Sequence, residues 1–320
     1  MFRILAITKN TLSEAVRQPI YLIILLSGIF AILASPYYTL FALLENDKLL
    51  KDMGMATLLV IGVLVAAFTA SSVIHREIEN NTLITVISKP ISRPEFLIGK
   101  FLGVLLGVFI MEYLLGSMLL NITRTKITEA AYSLTDYPVL VGYAFAIIFS
   151  MFLAAYGNFF YNKPFTSSVV NNLMVSFTLV FIVLCFINNR WQIQPFADKL
   201  DLQLLIAIIL AIMATALICA VAVAASTRLS TGFTFATCIS FFLVGLFSDY
   251  IFGQHMATSQ ISKILYNIIP NLQMYWVIDI ILDDKTIPTS YIYHTLGYTV
   301  LFLMAILSLA MVLFENRETN

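Results

Sequence analysis

Residues 203–225 read Gln203-Leu-Leu-Ile-Ala-Ile-Ile-Leu-Ala-Ile-Met-Ala-Thr-Ala-Leu-Ile-Cys-Ala-Val-Ala-Val-Ala-Ala225, without one charged side chain. A helix needs about 20 mostly apolar residues to cross the hydrocarbon core of a bilayer. The run is continuously apolar and does not alternate with polar residues, which favours a helix over a barrel strand. The sequence therefore predicts a transmembrane helix here.

Seven more segments have the same character, and two of them are separated only by Asn162-Lys-Pro164, which predicts a tight helical hairpin. We expect an all-α polytopic integral membrane protein with about eight transmembrane helices, six being the alternative number, in a single domain over residues 1–320. The seven further candidates lie at about 19–42, 54–75, 97–120, 138–160, 168–187, 231–251 and 291–314.

The composition agrees with a bilayer as the solvent. Hydrophobic residues make up 60% of the chain and charged residues 11%, whereas a soluble domain has about 45–50% and about 25%. The formal net charge is zero, which gives no indication of a nucleic-acid partner. The three histidines are isolated and the three cysteines lie in apolar runs, so we expect no catalytic residues, no metal site and no cofactor bound by this chain.

Residues 1–18 predict an amphipathic helix that lies in the membrane interface before the chain turns in. The same helix packed on the cytosolic surface of the protein is a compatible alternative. One predicted face carries Phe2, Ile4, Leu5, Leu12, Ala15 and Val16, and the other carries Arg3, Asn10, Ser13, Glu14 and Arg17.

Basic residues set the expected orientation. With the N-terminus in the cytosol, ten Lys and Arg residues lie inside and eight outside, and seven of the ten fall in residues 1–18 and in the loop after the second span. Short segments of this kind decide topology in most cases. We expect a multi-pass protein of the cell inner (cytoplasmic) membrane with both termini cytosolic.

The loop at residues 76–96 contains a predicted short helix over about 82–87. Asn80 or Asn81 can cap it, and Pro90 stops it. Its apolar side chains should face water, which is typical of a helix that docks into a groove on a partner. After it, Ser92 and Glu95 have the spacing of a capping box for the next span.

This loop resembles the coupling loop of ABC-2 type ABC transporter permeases, in that an acidic residue and a short apolar helix precede Lys89-Pro-Ile-Ser-Arg93 and Gly99-Lys100. Residues 4–17 are similar to the interfacial helix of the family. The C-terminal part, with Ile269-Pro-Asn-Leu272 and the end of the last span, is similar to its last third. The resemblance covers roughly half of the chain; residues 120–250 match in hydrophobicity and in the Ser226-Thr-Arg228 turn alone.

The resemblance implies a membrane-spanning permease subunit, more consistent with export than import, that moves substrate by alternating access. Its partners would be two separate ABC ATPase (nucleotide-binding) subunits, which bind ATP and Mg, and a second permease in a homo- or heterodimer. The chain itself has no G-x-x-x-x-G-K-[ST] phosphate-binding loop and is not expected to be an enzyme. The residues implied to couple to the ATPase are Arg76, Glu77, Glu79, Leu83, Ile84, Ile87, Lys89, Pro90 and Arg93.

Two further features of the third span are candidates for function. Gly99, Gly103 and Gly107 have the spacing of a close helix contact, either within one subunit or at a subunit or gating interface. Glu112 is a carboxylate deep in the span, and an acid there is a candidate for a translocation path or for a hydrogen bond between helices.

Residues 252–290 predict one or two short helices at the outer membrane face, or partly re-entering it, as an exit for substrate or as a structural lid. Two other functions remain alternatives: an ATP-independent secondary transporter or channel, and a membrane subunit that transmits force from an ATPase without transport. The loop distinguishes the two transporter hypotheses: the permease requires an apolar coupling helix and an ATPase partner, and an ATP-independent transporter or channel does not.

Overall fold

The computed structural model describes residues 2–39, 46–79, 92–124, 136–198, 200–256, 259–282 and 285–315. Within these ranges the chain is almost entirely helical, and its one β-type contact is an isolated antiparallel bridge between Ile187 and Ile193. The α-helices are α1 Phe2–Arg17, α2 Pro19–Thr39, α3 Asn46–Glu79, α4 Arg93–Ile122, α5 Tyr137–Tyr161, α6 Phe165–Cys185, α7 Leu202–Ser226, α8 Thr231–Leu246, α9 Ser248–Ile251, α10 Gln260–Ile268, α11 Ile278–Leu282 and α12 Thr289–Glu315.

Seven of these helices, α2 to α7 and α12, are long and apolar enough to cross a membrane, and two bent helix pairs raise the number to nine. The prediction of an all-α polytopic membrane protein is confirmed. The alternative of six spans falls below the number found in the described part of the chain.

The predicted span at 231–251 is not one straight helix. α8 ends at Leu246, and the next segment, Ser248–His255, is bent away from it by 65°. Close by, the segment before α11 packs onto α8, because a Cβ at Gly245 would lie only 2.8 Å from Leu272 Cγ. The bend therefore accompanies a contact between segments distant in sequence, which a continuously apolar run cannot reveal.

The second span is longer than the predicted 54–75. α3 begins about two turns earlier, in a charged stretch where Lys51 Nζ lies 2.7 Å from Asp201 Oδ2 at the start of α7. Burial by itself would raise the pKa of Asp201, but the hydrogen bond and charge of Lys51 and the amides of the first turn of α7 hold that pKa below its ordinary value. Asp201 therefore remains ionised, and this ion pair joins α3 to α7.

The centre of the bundle consists of α3, α4 and α7, which pack against one another. Their mutual faces are fully buried at Leu58, Met111 and Leu217. The α5–α6 hairpin and α12 lie at the periphery and expose large apolar side chains such as Phe145 and Leu301, as lipid-facing helices do. The predicted hairpin is confirmed: Asn162, with φ of 51°, ends α5 in the left-handed conformation that asparagine tolerates.

Loops predicted to share a side of the membrane lie at the same end of the bundle. Ser72 near the end of α3 donates to Gln18 after α1, and Thr166 after the hairpin turn donates to the Arg17 carbonyl. We call this the α1 end, and the other the far end.

At the far end, a buried ion pair joins three helices. The Arg124 guanidinium donates to both carboxylate oxygens of Asp136, at 2.7 and 2.8 Å. Its remaining nitrogen donates to the carbonyls of Leu184 and Ile187 at the end of α6. Both charged side chains are more than nine-tenths buried, so the ends of α4 and α6 and the start of α5 are fixed to one another.

The described residues between 252 and 288 fold across the far end as short helices, and the bend between α10 and the segment Leu272–Leu282 is 43°. Tyrosines attach this segment to α12: Tyr298 accepts the backbone N–H of Asn271, and the Tyr275 hydroxyl lies 2.7 Å from that of Thr299. The predicted short helices are present; whether they lie at or within the membrane remains a prediction.

Candidate functional site

The loop with the resemblance lies between the ends of α3 and α4. Leu83, Ile84, Ile87, Lys89 and Pro90 fall outside the described residues. The backbone of residues 76–79, which includes Arg76, Glu77 and Glu79, forms the last turn of α3, and Arg93 is the first residue of α4. The loop therefore connects α3 and α4, which are two of the three central helices.

The start of α4 is fixed on both sides. The Ser92 side chain accepts the N–H of Glu95 while the Glu95 carboxylate accepts the N–H of Ser92, so the predicted capping box is present. One turn on, Phe96 stacks on Phe314 of α12 with ring centroids 5.8 Å apart. The chain thus leaves the loop at a defined position.

The three glycines of α4 face α1 of the same chain. A Cβ at Gly103 would lie 2.4 Å from Thr11 Cβ, and one at Gly99 would lie 2.7 Å from Ile7 Cγ2. At Gly107 the nearest neighbour would be 3.8 Å away. Of the two interpretations that the spacing left open, the structure places this stripe in a contact within one chain, where the missing side chains allow close approach.

Hydrogen bonds reinforce this contact. The Thr8 hydroxyl, which donates to the Ile4 carbonyl, also lies 3.3 Å from the Gly99 carbonyl oxygen. Further along, the hydroxyl of Tyr21 in α2 donates to the Gly107 carbonyl at 2.7 Å. As a result α1, the start of α2 and the first half of α4 form one packed unit next to the loop.

The face of α1 that makes this contact overlaps the predicted apolar face, since Ala15 and Val16 are buried. Thr8 and Thr11, which the two-face pattern left out, are also buried, whereas Leu5 is 56% exposed. Small hydroxyl side chains fit against glycines, so the packing face extends beyond the predicted apolar residues. The exposed apolar side chains of α1 are left available for lipid.

Glu112 lies on the same helix, nine residues beyond Gly103, which is about 14 Å by helical rise. Its side chain is fully buried, and the polar side chain placed to interact with its carboxylate, among the described residues, is Thr215 of α7. A Cβ at Gly62 of α3 would lie 2.5 Å from Glu112 Oε1 and 2.7 Å from Thr215 Cγ2 of α7. The carboxyl group thus occupies the centre of the bundle, apart from the loop and the glycines.

Comparison with known protein families gives a match over the N-terminal part of the chain. Residues 5–162 match the family described as ABC-2 family transporter protein. The chain is therefore similar to this family over 158 of its 320 residues. No curated protein matches the chain. The match begins in α1, contains the loop at 76–96 and all three glycines, and ends at the hairpin turn after α5.

The matched region therefore contains the α1–α4 unit and Glu112, while α7, α8 and the segment at 252–288 lie beyond it. In the part of the chain that the structure describes, no group of three His, Cys, Asp or Glu side chains is arranged to hold a metal ion.

The protein also has an apolar pocket of about 650 Å³ at the far end that the sequence did not predict. It forms where α8 breaks away from α3, and its aromatic lining includes Phe242, Tyr250 and Trp276. Gln273 is the amide in this wall. Trp276 and its aromatic neighbours indicated an unusual segment in the sequence. The pocket itself depends on the 65° bend after α8, which the sequence did not indicate.

Proposed function

We propose that the chain is the membrane-spanning permease subunit of an ABC exporter, driven by separate ATPase subunits that bind ATP and Mg. The observation that carries the proposal is that one family domain contains both α1 and the loop at 76–96, next to which α1 and α4 are packed together. A second permease subunit completes the transporter. The α1 end faces the cytosol of a cell with the protein in its inner membrane.

In this mechanism the segment from Arg76 to Arg93 docks in a cleft of the ATPase. Its apolar positions, Leu83, Ile84 and Ile87, bury surface there, and the charged positions Glu77, Glu79 and Lys89 lie at the rim. When ATP closes the ATPase pair, the docked loop moves α3 and α4. Because α1 is packed on α4, it moves with them, and the central helices change which end of the path is open.

Substituting Leu83→Asp and Ile87→Asp together is expected to abolish co-purification of the ATPase in mild detergent, because two charges replace buried apolar contacts. The readout is the amount of a phosphate-loop ATPase that co-purifies with the tagged chain, together with its ATP hydrolysis. The matched control is Ile193→Asp, at a position that is 89% exposed at the far end, which should leave association unchanged.

Recovery of the same ATPase with the double variant, from a well-folded and dimeric sample, would contradict the coupling role of the loop. If the wild type itself retains no ATPase, the ATP-independent secondary transporter becomes the leading hypothesis.

We further propose that Glu112 borders the translocation path, since a buried carboxyl that has Thr215 as its polar neighbour in one conformation is further stabilised if another conformation supplies water or a second polar group. In a background with Cys185, Cys219 and Cys238 replaced by alanine, Glu112→Cys is expected to react with a charged, membrane-impermeant thiol reagent at least about tenfold faster during ATP turnover than without ATP. The measurement is the labelled fraction over time in reconstituted vesicles.

The control for that measurement is Leu114→Cys, which is fully buried on the same helix and should stay unlabelled in both conditions. Equal protection of both cysteines throughout turnover would make Glu112 a packing residue and remove it from the path.

A further inference from the structure

A polar cavity of about 600 Å³ lies at the elbow between α1 and α2, at the α1 end of the bundle. Four helices meet around it: the polar face of α1, the start of α2, the end of α3 and the start of α8. Among the described residues, Glu112 does not contribute to its wall. The polar side chains used below are Glu14, Arg17, Gln18, Ser72 and Thr231.

One wall of the cavity holds a donor without a partner. Gln18 Oε1 accepts the Ser72 hydroxyl at 2.7 Å, which fixes the orientation of the amide. The Gln18 Nε2 group is then buried, and no hydrogen bond satisfies it among the described residues. Leaving such a donor unsatisfied costs about 1–3 kcal/mol, so a small shift of the Gln18 side chain that brought Nε2 to an acceptor in the cavity would be favourable.

A second set of donors comes from α8. Its first residue, Thr231, lines the cavity, and the preceding residue, Ser230, makes no side-chain cap hydrogen bond. The first backbone N–H groups of a helix have no partner within the helix and attract anions. A Cβ at Gly232 would meet nothing within 4 Å, so there is open space beside these groups.

The described lining of the cavity contains two charged side chains, the base Arg17 and the acid Glu14. A guanidinium suits a phosphate, and a carboxylate suits an ammonium group. Apolar Ile20 and Phe68 line the same cavity, next to the point where the first span begins. Such a wall is suited to a molecule with a zwitterionic polar part and a hydrocarbon part.

We propose that this cavity binds the headgroup of a zwitterionic phospholipid of the ethanolamine type, with its phosphate near Arg17, Gln18 and the α8 N-terminus and its ammonium near Glu14. The elbow between an interfacial helix and a membrane span lies at the depth of lipid phosphates. A bound headgroup would connect α1, α2, α3 and α8 at the α1 end. The site is independent of the ATPase partner.

The test uses the full-length chain, delipidated in detergent, and native mass spectrometry with added phosphatidylethanolamine. Arg17→Gln is expected to weaken binding about tenfold, the loss of one charge-assisted hydrogen bond; the Arg17 carbonyl that accepts from Thr166 is kept. Gln18→Leu is expected to weaken it severalfold. Lys9→Gln, which removes the same charge from an exposed position of α1 outside the cavity, is the matched control.

Probe lipids identify the source of the anion. Diacylglycerol, which lacks the phosphate, should not bind, and Glu14→Gln should remove a preference for phosphatidylethanolamine over phosphatidylglycerol. The proposal is overturned if Arg17→Gln and Lys9→Gln have equal effects, or if diacylglycerol binds as well as the phospholipid. It is also overturned if inorganic phosphate displaces the lipid at equal concentration, which would indicate a site for a soluble anion. Monodisperse elution of every variant excludes misfolding as the cause.

Discussion

Substituting Arg124→Leu is expected to lower the free energy of unfolding by about 3–5 kcal/mol, because it leaves the Asp136 carboxylate buried without its charge partner. The same change removes the donors to the Leu184 and Ile187 carbonyls, so the end of α6 loses its attachment as well. Denaturant-induced unfolding in detergent micelles, followed by circular dichroism, measures the effect. The exposed Arg190 offers a matched control, and Arg190→Leu should change stability by less than about 0.5 kcal/mol.

The double variant Arg124→Leu/Asp136→Leu distinguishes two contributions to the loss of stability: the cost of leaving a buried charge unpaired and the cost of losing the contact itself. It should be less destabilised than the sum of the single variants, since no ion is then left unpaired. Additive effects would mean that the two side chains act independently, contrary to their 2.7 Å contact.

Substituting Gly103→Val is expected to separate α1 from α4. A Cβ there would lie 2.4 Å from Thr11 Cβ and 2.9 Å from the Thr8 carbonyl oxygen, and backbone cannot yield as a flexible side chain does. We expect a loss of about 3 kcal/mol of stability, at the upper end for overpacking. Hydrogen exchange should show faster exchange of the α1 amides, since those amides depend on docking for protection.

Two glycines serve as controls for that variant. At Gly107 the nearest atom to an added Cβ would be 3.8 Å away, and at Gly297 nothing would lie within 4 Å. Gly107→Ala and Gly297→Ala should therefore keep wild-type exchange in α1. If Gly103→Val also keeps it, the glycine stripe does not hold α1 in place.

The sequence predicted what depends on local pattern. Continuous apolar runs located the spans to within a few residues in most cases, and the spacing of Ser92 and Glu95 predicted the observed start of α4. The turn at Asn162 was predictable for the same reason, because a polar tripeptide between two apolar runs has to form a turn. Hydropathy and capping depend on residues that are close together in the chain, so they can be predicted from the sequence alone.

Features that depend on distant contacts were not predictable. The early start of α3 accompanies an ion pair between Lys51 and Asp201, 150 positions apart. The break after Leu246 accompanies the packing of Leu272, and the true packing face of α1 depends on which residues of α4 are glycines. Nothing in the spacing of Thr8 and Thr11 indicates such a partner. For Glu112, the apolar run around it predicted its depth in the span, whereas its position between Gly62 and Thr215 depends on helix packing.

The 34-residue length of α3 has a mechanical consequence. At a rise of 1.5 Å per residue it extends about 51 Å, against about 30 Å for a hydrocarbon core. An unbroken helix of this length behaves as a lever: a tilt of about 5° displaces one tip relative to the other by about 4 Å. The Lys51–Asp201 ion pair lies near one tip, and residues 76–79 form the other. On the proposed function, a small rotation of α3 at one membrane face would therefore displace groups at the opposite face.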